Sequence, residues 1–134
     1  MAIECRTGSF LTGTGAVAST VEVNFSTAMA APPTLVLFYF SGRTESVDTA
    51  GRDSHKRGFG AAVSASQRQQ MSNFSLDASA AADTATRNIT TECINIMLNA
   101  TTVDGAFDLT SMDADGFTLD VTNQFATSYR VHYW

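Results

Sequence analysis

Helix-period patterning, long apolar runs and charge are all scarce in this 134-residue chain. No stretch of ten residues repeats its apolar positions at helical spacing, so helix is expected to be limited to a turn or two. No apolar run approaches the roughly 20 residues that a membrane-spanning helix needs. The start, Met1-Ala2-Ile3-Glu4-Cys5-Arg6, lacks a basic region leading into an apolar one, so no secretion signal is read and the product is expected to stay where it is made or to leave by lysis. Charged residues make up 16% of the chain, below the usual quarter or so. The net charge of −5 and pI near 4.7 exclude a general binder of nucleic acid or anionic membrane, because both demand a positive field.

Cysteine is scarce too. Cys5 and Cys93 are the only pair, and two free thiols are expected: Cys5 is read as facing inward with Ile3, and Cys93 as opposite in phase to Ile94, Ile96 and Leu98. Metal and catalytic motifs are equally thin. Gly13-Thr14-Gly15 lacks the third glycine and the lysine of a phosphate loop. Asp113-Ala114-Asp115-Gly116 has spaced carboxylates, but the position six residues beyond the glycine is Thr122, where a calcium loop needs a bidentate acid. His55 and His132 stand far apart with no zinc spacing around them. Asp48, Asp53 and His55 share one loop, but nothing marks them as a nucleophile and base. No cofactor, metal or enzymatic activity is therefore expected.

What the chain does have is alternation. The pattern is organised around residues 34–41, Thr34-Leu35-Val36-Leu37-Phe38-Tyr39-Phe40-Ser41. Six consecutive large apolar residues predict a central strand with Leu35, Leu37 and Tyr39 on one face and Val36, Phe38 and Phe40 on the other, both requiring cover. Pro32 and Pro33 keep helix out of its start, and Ser41-Gly42 ends it. Val21, Val23 and Phe25 alternate as a half-buried strand after an opening strand within residues 3–10. Residues 58–63 read as a strand with Phe59, Ala61 and Val63 inward, leaving Gly58, Gly60 and Ala62 free for close approach of another backbone or a bulge. Residues 68–76 read as a polar edge strand, and 77–84 as an Ala-rich connection. In residues 90–99, Ile94, Ile96 and Leu98 are expected inward and Asn95 and Asn99 outward. Asp104-Gly105 reads as a turn, and Asp113-Ala114-Asp115-Gly116 as a hairpin with a positive φ at the glycine. The last strand should place Tyr129, Val131 and Tyr133 on one face and Arg130, His132 and Trp134 on the other.

About eight to ten strands in one domain, residues 1–134, read as an all-β, antiparallel two-sheet β-sandwich of jelly-roll-like form. The stretch without periodicity, residues 42–57, concentrates charge, and Arg43, Arg52, His55, Lys56 and Arg57 are its candidate partner contacts.

Three segments carry a resemblance: the apolar strand followed by Ser41-Gly42-Arg43-Thr44, the strand start Arg57-Gly58-Phe59-Gly60, and Asp104-Gly105 leading through Asp108-Leu109 to Met112-Asp113-Ala114-Asp115-Gly116-Phe117-Thr118-Leu119. Together, from about Ile3 to Tyr133, they resemble a family of small β-sandwich structural proteins of tailed bacteriophages and prophages. The resemblance implies a virion protein made in the host cytoplasm, a capsid decoration protein bound to the major capsid protein or other virion subunits. A homo-oligomer is implied, with a trimer as the first expectation. The alternative it implies is a tail or tail-fibre adsorption module that binds host surface glycan. It transfers no functional residue.

Overall fold

The computed structural model describes residues 4–44, 55–76 and 83–134. They form two antiparallel sheets and no helix. In chain order the strands are β1 (Gly8–Leu11), β2 (Thr20–Asn24), β3 (Val36–Phe40), β4 (His55–Ser64), β5 (Gln67–Leu76), β6 (Asp83–Ile89), β7 (Ile94–Met97), β8 (Val103–Asp113), β9 (Gly116–Asn123) and β10 (Arg130–Tyr133). The six-stranded sheet runs β1-β10-β3-β4-β5-β6 and the four-stranded sheet β2-β9-β8-β7. The all-β sandwich is jelly-roll-like at its start, where β1, β2 and β3 alternate between sheets and β10 sits between β1 and β3. Two meanders, β3 to β6 and β7 to β9, complete it.

The core lies between the sheets. Phe38 and Phe40 of β3, Ile94 and Ile96 of β7, Phe107 and Leu109 of β8, and Phe117, Leu119 and Val121 of β9 meet Phe125, Val131 and Tyr133 there. Phe117 is the hub, with its ring edge-on to those of Phe38 at 5.5 Å and Tyr133 at 5.2 Å between centroids. Burying these rings supplies most of the driving force, at about 1.5–3 kcal/mol for each fully covered large side chain.

Several expectations need correction. Central strand β3 is covered on one face only: Val36, Phe38 and Phe40 are buried, while Leu35 and Tyr39 are exposed. The phase of β4 is the reverse of that expected. Gly58, Gly60 and Ala62 face the core and Phe59 and Val63 face out. The glycines' lack of a side chain is what allows this, because a Cβ on Gly60 would lie 1.8 Å from the carbonyl oxygen of Cys93, the residue that leads into β7 of the facing sheet. Of the two uses expected of these small residues, close approach of another backbone is the one Gly60 serves, and a register shift falls beside them between Ala62 and Ser64.

β5 is internal, paired on both sides, and β6 is the edge. Polar identity concealed this, since Gln70 and Ser72 are buried on the inner face of β5. Asn95 is buried and Leu98 exposed, because β7 ends at Met97. Cys5 is exposed and precedes the first strand, whereas Cys93 is buried, and both are free thiols. Asp104 and Gly105 lie inside β8, where Phe125 packs over the glycine, so the turn falls before Val103. The β8–β9 hairpin is where expected, with Asp113 opposite Gly116, but positive φ occurs at Gly13, Ala18 and Gly42 among the described residues and not at Gly116. Gly116 is small because Val23 of β2 passes it, its carbonyl oxygen 2.1 Å from where a Cβ would be.

Candidate functional site

The outer face of the six-stranded sheet is the most distinctive surface. Register builds it: His132 of β10, Tyr39 of β3, Phe59 of β4 and Met71 of β5 stand side by side in one row. Side chains of opposed residues share a face. Tyr39, Phe59 and Met71 expose 42%, 41% and 47% of their surface. The next row holds Leu37 beside Ala61, with Trp134 joined to Leu37 by two backbone hydrogen bonds of 2.8 and 3.2 Å. Leu35 and Val63, both exposed, extend the apolar area along the strands. A groove of about 410 Å³ runs along Phe59, Ala61, Met71 and Asn88.

The charges on this face share one sign. Arg57 of β4 and Arg130 of β10 project from it, with the imidazoles of His55 and His132 beside them. No Asp or Glu stands among its described strand residues. Arg130 is held in place, its guanidinium donating to Ser9 Oγ at 3.0 Å and to the Thr44 carbonyl at 3.3 Å. The opposite outer face, on β2 and β9, carries Glu22 and Asp120 instead.

A second cluster closes one end of the sandwich. The Lys56 ammonium on β4 lies 3.7 Å from Asp104 on β8 and donates to the Tyr129 hydroxyl at 3.3 Å, and that hydroxyl donates in turn to Asp104. Asp104 also accepts from the Ala126 backbone amide at 3.3 Å. The Asp104 side chain is only 2% exposed against 22% for Lys56. Burial, and then the hydrogen bond to Asp104, push the Tyr129 phenol well above its ordinary range. The three groups satisfy one another across the two sheets, which is a structural tie. A second tie, bidentate, joins Arg68 of β5 to Asp108 of β8 at 2.7 and 2.6 Å.

The residues expected to make partner contacts do not form one group. His55 and Arg57 are exposed on the outer face, whereas Lys56 points to the other side and is tied to Asp104. Arg43 follows β3, and its carbonyl accepts from the Arg130 amide. Arg52, with Asp48 and Asp53, lies outside the described residues. Among the described residues no three His, Cys, Asp or Glu side chains gather as metal ligands. Sequence reasoning missed Tyr39, Phe59 and Met71 as surface residues. The available signal was β3 itself, apolar at both parities in a chain with too few strands to cover two sheet faces.

No family model matches the chain, and neither a curated protein nor a solved structure does.

Proposed function

We propose that this chain is a non-enzymatic structural subunit of a bacteriophage virion, a capsid decoration protein made in the host cytoplasm. In this reading the outer face of the six-stranded sheet docks on the major capsid protein or a neighbouring virion subunit. The observation that carries the proposal is the exposed row Tyr39-Phe59-Met71 with its rim of Arg57, Arg130, His55 and His132. Leu35, Tyr39, Phe59, Val63, Met71 and Trp134 together present on the order of 400 Å² of apolar surface, as much as the largest patch on an ordinary monomer. That is roughly half of one partner's share of a standard-size interface. The cationic rim suits an acidic partner and orients its approach, while the apolar row supplies affinity.

A glycan-binding adsorption module is the weaker reading. Sugar platforms need rings laid flat, and the Phe59 and Trp134 rings, 6.0 Å apart, are inclined at 56° and pack on each other.

The test is incorporation. Tyr39→Ser with Phe59→Ser changes two exposed side chains, so the double variant should fold with a thermal transition close to that of the wild type. It should fail to bind particles assembled without the protein. Full occupancy by the folded double variant would refute the docking face. Binding to host polysaccharide but not to particles would turn the assignment to the adsorption reading.

A further inference from the structure

We infer that two copies of this chain pair edge to edge through β6, antiparallel about Ala85, to make one continuous twelve-stranded sheet. A sandwich of two open sheets has four edges, and proteins blunt such edges with short strands, bulges, proline or charged side chains, lysine and inward-pointing charges among them. Among the described residues, three of the four are short strands. β1 and β7 have four residues each and β2 has five, and β7 is interrupted by an irregularity between Ile96 and Met97. β6 is different. It has seven residues, Asp83-Thr84-Ala85-Thr86-Arg87-Asn88-Ile89, and pairs with β5 in seven consecutive steps without a bulge or proline. Its two charges, Asp83 and Arg87, share the inner-face parity and are of opposite sign, so they discourage a neutral strand but not one that presents the same pair reversed. None of its residues is buried, so it stands clear of the four-stranded sheet with one side of its backbone unpaired among the described residues.

The side chains choose the partner. A two-fold axis perpendicular to the sheet through Ala85 sets Asp83 opposite Arg87 of the second copy and Arg87 opposite its Asp83. It also sets Thr84 against Thr86 twice and Ala85 against itself. Opposite charges and Thr pairs directly across a ladder are both favourable. Moving the axis to Thr86 places Asp83 opposite Ile89 and Arg87 opposite Ala85, and moving it to Arg87 sets the two arginines against each other. Only the Ala85 register satisfies both charges, and neither Asp83 nor Arg87 has an ion-pair partner among the described residues. A second copy is thus the occupant that the charge pattern fits, through an isologous contact.

The axis is perpendicular to the sheet, so both apolar outer faces end on the same side and form one doubled docking surface. The inference goes beyond the virion reading and stands without it: particle occupancy tests the one and solution state the other.

The experiment uses the full chain carrying Cys5→Ser and Ala85→Cys, with light scattering to count copies. At about 100 µM a dimer is expected, and mild oxidation should lock it through the self-opposed cysteines. Thr86→Cys in the same background should not cross-link, since it faces Thr84 of the other copy. Arg87→Asp sets like charges opposite each other twice and should weaken the dimer about tenfold or more. Combining it with Asp83→Arg should restore pairing, which misfolding could not. A folded monomer at that concentration would overturn the inference. So would an oligomer that Arg87→Asp leaves intact and Ala85→Cys does not lock, a trimer built by other contacts among them.

Discussion

Replacing Gly60 by alanine tests the packing of the two sheets with a single methyl group. Gly60 lies in the middle of β4, opposite Phe38, with the facing sheet so close that a Cβ would sit 1.8 Å from the Cys93 carbonyl oxygen and 3.0 Å from its carbon. An ordinary contact needs roughly 3.2 Å or more, so the backbone at Cys93 would have to retreat by more than an ångström. It has little freedom to do so. The Cys93 amide donates to the Phe107 carbonyl at 3.1 Å, the side chain is buried, and Ile94 next to it is buried in the core. Overpacking of well-packed interiors costs about 1–3 kcal/mol, and a rigid backbone neighbour belongs at the top of that range. For a domain of this size a loss of about 3 kcal/mol lowers the melting temperature by roughly 10 °C. Urea and thermal denaturation would measure it, with Gly13→Ala as the control. Gly13 has a φ of 67° but nothing within 4 Å of the added methyl, so its cost is the left-handed backbone alone, about 1–2 kcal/mol. A Gly60→Ala protein within about 0.5 kcal/mol of the wild type would refute this packing, and with it the inward phase of Gly58, Gly60 and Ala62.

Three further outcomes are expected. A thiol reagent should titrate Cys5 alone in the native protein and both cysteines in denaturant, because Cys93 is enclosed and burial pushes its thiol far above the ordinary range; a second fast thiol in the native state would contradict this. Asp104→Ala should cost about 2–4 kcal/mol in denaturant titrations, since it strips the partner from Lys56 and from the buried Tyr129 hydroxyl; Lys56→Met should cost less, because Asp104 keeps two hydrogen bonds. Stability should fall as pH rises past about 10, where the unfolded phenol loses a proton that folded Tyr129 retains, its pKa being raised, and Tyr129→Phe should flatten that slope at the expense of the Asp104 hydrogen bond.

Alternation of apolar residues was enough to identify the fold class, the central strand and the inward faces of β2 and β10, because a side chain's parity along a strand is set locally by the pleat. The hairpin at Asp113-Ala114-Asp115-Gly116 was legible for the same reason: a tight turn is specified by the residues within it. Parity alone does not say which face is covered. In β4, Phe59 and Val63 looked like core and Gly58 and Gly60 like surface, and the opposite holds because Cys93 and the Phe40 ring occupy the space a side chain would need. In β5, Gln70 and Ser72 looked like solvent-facing residues of an edge strand, yet β6 pairs beyond them. Arg57 and Lys56 are adjacent in the charge-rich stretch, but one faces solvent and the other Asp104, some fifty residues away in the chain. The candidate docking face follows from the same distinction. That β3 is apolar on both sides is local information, but that only one side meets a second sheet is settled by which strands pair and where the four-stranded sheet lies, contacts between residues far apart in the chain.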